Sequence, residues 1–85
     1  MLPRYWWKVG QNVGSEIIEF RYSRRGFSGR ARKFPRLGVW RIEQAVFYAE
    51  KTRLMKWKTL HEMPAHTPDT EVVAIANAMF SVMGR

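Results

Sequence analysis

The chain has no cysteine among its 85 residues, so neither a disulfide staple nor a thiolate metal site contributes to its stability. That absence fits a reducing compartment, and a cytoplasmic, intracellular protein is the expectation. Acidic residues are scarce, seven against fifteen Lys and Arg, and only Glu16 and Glu19 fall within the first 41 positions. Long apolar runs are missing too. The longest, Val72 to Met83, covers twelve residues and is interrupted by Asn77 and Ser81, well short of the ~20 that a helix needs to cross a bilayer. The first ten residues, MLPRYWWKVG, place Pro3, Arg4 and Lys8 where a signal peptide requires an apolar core. The apolar C-terminal segment holds no cation before Arg85, so a basic amphipathic helix lying on a membrane is not expected either.

What is present is basic and aromatic. The net charge of +8 resides in residues 1–41, which hold ten basic and two acidic side chains, while residues 42–85 hold five of each. Between Arg21 and Arg36 the chain reads RYSRRGFSGRARKFPR: seven of sixteen residues are Arg or Lys, none is acidic, and Tyr22, Phe27 and Phe34 are interleaved. Such a one-sided distribution makes a local positive field that concentrates polyanions. Hydrophobic residues at 46% and twelve aromatics belong to a folded chain, and its length fits one small domain, residues 1–85.

Residues 4–9, 16–23 and 27–34 are rich in aromatic or β-branched side chains and are separated by the turn-forming GQNVGS and RRG. They predict three strands of an antiparallel meander. Alternation sorts them into two faces. One holds Tyr5, Trp7, Val9, Ile18, Phe20, Tyr22, Phe27, Gly29 and Ala31; the other holds Arg4, Trp6, Lys8, Ile17, Glu19, Arg21, Ser28, Arg30, Arg32 and Phe34. Residues 41–53 place Ile42, Ala45, Val46 and Ala49 at helical spacing, which predicts a helix over the apolar face, with Gly29 and Ala31 letting it approach closely. Residues 54–60 read equally as continued helix or fourth strand, Pro64 and Pro68 mark a connector over 61–69, and Thr67–Thr70 opens a terminal helix over about 69–83. The expected fold is α+β: a three-stranded antiparallel sheet packed against one helix, with a further C-terminal helix. That last helix is apolar nearly all round, so a second copy of the chain is one way to cover it.

The candidate site is the basic face. Arg21, Arg30, Arg32 and Lys33 are expected on phosphates, Arg24 and Arg25 at the hairpin tip as groove or phosphate probes, and Trp6 and Phe34 as stacking aromatics. Arg4, Lys8 and Arg36 extend the same surface. Arginine suits this work because its planar fork contacts phosphate bidentately and stacks on rings. Glu19 stands among the cations and is expected to pair with Arg30 or Arg32 and orient them, the alternative being a hydrogen bond accepted from a cytosine amino group. Catalytic, metal and cofactor sites are not expected. His61 and His66 are one residue too far apart for a zinc-binding HExxH helix, with Pro64 between them. The glycine loops lack the residues of a phosphate cradle, and no serine has a base partner in sequence.

The order of three strands followed by RLGVWRIEQAVFYAEK resembles the three-stranded-sheet-plus-helix DNA-binding domains of the AP2 and phage-integrase arm-binding type. Leu37, Gly38 and Trp40 are similar to the turn that leads into the helix of those domains, and Glu43, Gln44 and Ala45 to its opening; the likeness covers about residues 4–53. It implies a sheet laid in the major groove of duplex DNA, with Arg21, Arg30 and Arg32 reading or gripping it. Nucleic acid, DNA rather than RNA, is therefore the expected partner. The alternative is a small inhibitor or adaptor of the kind mobile elements and phages carry, docking its arginines on an acidic surface of a larger protein or ribonucleoprotein.

Overall fold

The computed structural model describes residues 1–9, 18–50 and 52–83. Five strands, β1 (Trp6–Lys8), β2 (Glu19–Arg24), β3 (Phe27–Phe34), β4 (Val39–Phe47) and β5 (Leu54–Pro64), form one antiparallel sheet in sequence order, and a single helix, α1 (Asp69–Met83), follows. The architecture is α+β, but the expected three-stranded sheet with two helices is overturned: residues 39–47 are a strand, and residues 54–64 another. The turn expected over 10–15, and Ile17, lie outside the described residues.

Two periodicities compete within VWRIEQAVF. The helical one rests on Ile42, Ala45, Val46 and Ala49. The other alternates Trp40 and Ile42 with Arg41 and Glu43, and tertiary pairing favours it, because as a strand this segment bonds β3 on one side and β5 on the other. The chain reaches it through a short 3-10 turn, Pro35–Leu37, and Gly38 at φ 69°, whose N–H donates to the Pro35 carbonyl at 3.1 Å. A left-handed residue suits glycine. The Leu-Gly step therefore closes a hairpin instead of opening a helix.

The helix-side face carries Trp6, Phe20, Tyr22, Phe27, Ala31, Trp40, Ile42 and Met63, and α1 supplies Val72, Val73, Ala76 and Phe80 to the same core. Gly29 and Ala31 lie under a helix as their size suggests, but the helix is α1, packed on β2 and β3. A Cβ at Gly29 would stand 2.5 Å from the Phe80 ring, so this position admits only glycine without repacking. Pro68 sets the start of α1, with Glu71 and Val72 donating back to its carbonyl, and Asp69 and Glu71 sit favourably in the positive first turn. The preceding connector is fixed by the Trp40 indole, which donates to the Thr67 carbonyl at 3.2 Å.

The phase of β1 is the reverse of the expected one. Trp6 pairs with Tyr22 and is 7% exposed, its indole donating to Asn77 Oδ1 at 3.0 Å, while Trp7 points to the opposite face and is 45% exposed. In YWW every choice of inward ring is apolar, so alternation alone cannot decide. The helix decides it, by stacking Phe80 on Trp6 at 5.7 Å.

Candidate nucleic-acid interface

On the face away from α1, the register aligns Trp7, Arg21, Arg30, Glu43 and Thr59 in one row and Glu19, Arg32, Arg41 and Glu62 in the next. These rows interlock by charge. Glu19 Oε1 accepts from Arg21 Nε at 3.2 Å and Arg30 at 3.1 Å, Glu43 accepts from Arg30 Nε at 2.8 Å and from the Thr59 hydroxyl at 3.4 Å, and Glu62 accepts from Arg41 Nε at 2.6 Å. Glu19, Arg30 and Glu43 are all buried, and the Trp57 ring lies 4.1 Å from the Arg30 guanidinium carbon, roofing it from solvent. The charge asymmetry of the sequence is thus reduced on this face. Glu43 and Glu62 come from the neutral half of the chain and land on arginines of the basic half.

Trp57 reaches this face because β5 carries an extra residue. His61 pairs with Ile42 but Thr59 with Glu43, so Leu60 has no partner of its own, and a second irregularity leaves Met55 unpaired in the same way. A bulge of one residue reverses which side chains face which way. Below Leu60, Trp57 and Thr59 turn toward the arginines, while Lys56 and Lys58 turn to the helix side and stand exposed.

A different environment lies at the end of the sheet where β1 begins, β2 turns into β3 and β4 turns into β5. Here a cleft of about 790 Å³ runs between the two turns, lined by Tyr5, Arg24, Arg25, Phe47 and Tyr48 with Ser23 and Ser28 between them. A second hollow of about 280 Å³ shares Ser23, Ser28 and Phe47 and continues to Trp7, Leu54 and Trp57. Tyr5, Phe47 and Tyr48 are exposed. Their cationic neighbours lie against rings: Arg4 at 4.9 Å and Arg24 at 6.0 Å from the Tyr5 centroid, and Arg53 at 4.5 Å from that of Tyr48. The one carboxylate in an ion pair here is Glu50, an exposed and loose partner of Arg53 at 3.7 Å among the described residues.

Tyr5 holds its place at a cost. Its φ of 76° is left-handed, a conformation worth about 1–3 kcal/mol of strain for a residue other than glycine. Two hydrogen bonds keep it there: the Ser23 N–H donates to the Tyr5 carbonyl at 3.1 Å, and the Trp6 N–H to that of Pro3 at 3.3 Å.

The eleven residues expected to form one basic face are therefore divided. Arg21, Arg30, Arg32 and Phe34 do share the open face, but Arg30 is buried and Arg21 is paired with Glu19. Arg32 is half-buried, its Nε has no partner among the described residues, and its guanidinium stands 5.3 Å from Phe34, whose ring Arg41 approaches from 5.1 Å. Trp6 is core. Lys8 and Lys33 lie on the helix side over Phe20 and Trp40, and Arg36 is exposed in the 3-10 turn. Arg4, Arg24 and Arg25 belong to the cleft end. Tyr5, Trp7, Phe47, Tyr48, Arg53 and Trp57 are the side chains that sequence reasoning did not place at a site. Tyr5 and Trp7 followed from the inverted β1, and Phe47, Tyr48 and Arg53 from reading residues 41–53 as helix.

The described residues contain no cluster of three acidic or histidine side chains placed to hold a metal, and no described helix is long and apolar enough to cross a membrane. No protein-family profile, curated protein or solved structure matches the chain.

Proposed function

We propose that the protein binds nucleic acid, and that the contact is made by the cleft end of the sheet and not by the arginine rows of the open face. The observation that carries this reading is the meeting of Arg4, Arg24 and Arg25 with the exposed rings of Tyr5, Phe47 and Tyr48. Cations of this kind are available to phosphates because no described carboxylate bonds them. Three of the open-face arginines, Arg21, Arg30 and Arg41, are bonded to carboxylates instead. A guanidinium that already shares a buried carboxylate has its donors in use, and withdrawing it would strand the acid. Arg36 and the lysines at positions 8, 33, 56 and 58 add to the surrounding positive field without forming a site.

Salt tests the proposal. If four or five phosphates are neutralised, log affinity for an oligonucleotide should fall against log salt with a slope of about −3 to −4. A slope shallower than about −1 would sink it. Replacing Arg24 and Arg25 by alanine should flatten the slope by roughly 1 for each phosphate that is no longer neutralised.

One observation favours the inhibitor or adaptor as a second reading. The hollow walled by Trp7, Phe47, Leu54 and Trp57 beside Arg21 has the Trp and Arg content of an interface hot spot. Salt-insensitive capture of one protein at fixed stoichiometry, abolished by Trp7→Ala, would select that reading over nucleic acid.

A further inference from the structure

We infer that the cleft accepts unstacked bases, so that its ligand is single-stranded nucleic acid; this rests on the nucleic-acid reading above and narrows it. The rings are the reason. Tyr5, Phe47 and Tyr48 are exposed yet sit between the Arg24–Phe27 hairpin turn and the β4–β5 connection, within the 790 Å³ cleft. In a duplex each base face is covered by its neighbours, and only base edges and the sugar-phosphate rails reach a protein. Recessed rings would therefore meet nothing flat on a duplex, and the cations beside them would stop at the rails. A single strand can splay its bases into the cleft and lay its phosphates along the rim.

Three further features agree with this geometry. Tyr5 is held in a strained backbone conformation, and strain of this kind is kept where the surroundings enforce a particular side-chain position. Arg4 and Arg24 both lie against the Tyr5 ring, so a cation stands ready wherever a base stacks there. The remaining polar lining is Ser23 and Ser28, whose rotating hydroxyls serve as donor or acceptor and impose no fixed pattern. Binding is thus tolerant of base sequence, with backbone charge and stacking supplying the affinity.

The test is a fluorescence-anisotropy comparison of the intact protein with a fifteen-nucleotide oligo-dT, an oligo-rU of the same length and a mixed-sequence DNA duplex. The single strands should bind at least about tenfold tighter than the duplex, and comparing dT with rU separates a DNA ligand from an RNA one. Phe47→Ala and Tyr48→Ala should each weaken single-strand binding by roughly 5- to 150-fold, the range for loss of one stacked base, and shrink the preference for single strand over duplex. Tyr48→Leu keeps the side-chain bulk without the ring and should lose nearly as much. A 2-aminopurine base in the oligonucleotide should be quenched on binding wild type and recover with Tyr48→Leu. Duplex binding as tight as single-strand binding, with the ring variants silent, would overturn the inference while leaving a nucleic-acid ligand standing. Salt-insensitive or undetectable binding to all three probes would overturn both.

Discussion

Arg30 and Arg25 are five residues apart in a single arginine-rich run, yet they meet opposite conditions. Arg30 is 8% exposed, shared between Glu19 and Glu43 and covered by Trp57; Arg25 stands exposed at a two-residue turn with no described carboxylate bonded to it. The difference comes from the strands that flank each position. In the sheet interior, Gly29 to Arg32 of β3 each pair with a residue on β2 and one on β4, and those strands bring glutamates. At the hairpin tip there is no neighbour to do so. A run of arginines is therefore not one chemical object: its middle helps specify the fold, and its turn is left for a ligand.

The largest effects should come from breaking the interior. Trp6→Ala removes a core ring and its bond to Asn77 and should cost about 3–5 kcal/mol in urea unfolding, whereas Trp7→Ala should stay within about 0.5 kcal/mol; equal losses would refute the assigned phase of β1. Arg30→Ala strands the buried Glu43 carboxylate, leaves Glu19 with Arg21 alone, and should cost about 3–5 kcal/mol. A loss below about 1 kcal/mol would mean that the glutamates are solvated and the arginine rows not locked. Gly29→Ala forces a methyl into the Phe80 ring and should cost about 1–3 kcal/mol, with Phe80→Leu in the same chain recovering part of it. Smallest for stability is Arg25→Ala, expected within about 0.5 kcal/mol, although the salt slope of oligonucleotide binding should change by about 1. If Arg25→Ala proved as destabilising as Arg30→Ala, the contrast between tip and interior would fail.

The β2–β3 hairpin was legible in the chain because its two faces differ in chemistry: Phe20 and Tyr22 with Phe27, Gly29 and Ala31 against Glu19 and Arg21 with Ser28, Arg30 and Arg32. The terminal helix was legible from Thr67–Thr70 and the density of apolar residues that follows. The pairing of Glu19 with Arg30 could also be anticipated from their nearness in that hairpin. By contrast, β4 was hidden by a short amphipathic pattern that satisfies either period, and its misreading removed Glu43 from the arginines it neutralises. β1 was hidden because Arg4 and Lys8 mark the side of Trp6 as outward, while the rings of Tyr5, Trp6 and Trp7 fit either phase. Both ambiguities are settled only by long-range partners, Glu43 with Arg30 and Trp6 with Phe80. The cleft depended on both, which is why its aromatic residues could not be assembled from local pattern alone.

Leu60 shows how much a single inserted position controls. Counting by twos from Met63 without interruption would put Leu60 opposite Glu43 and Lys58 opposite Ala45, in the place of Trp57 above Arg30, and send Trp57 to the side of the helix. The strand would then set an ammonium group beside the Arg30 guanidinium, and the sheet would repel its own edge. By standing out of step, one leucine hands that ceiling to an indole and a hydroxyl instead, and so makes an interior of what the composition would have left as a layer of like charge. Removing Leu60 would leave Thr59 opposite Glu43 and Trp57 opposite Ala45 in an uninterrupted ladder, whereas flattening the bulge with the leucine in place would turn the fifth strand over.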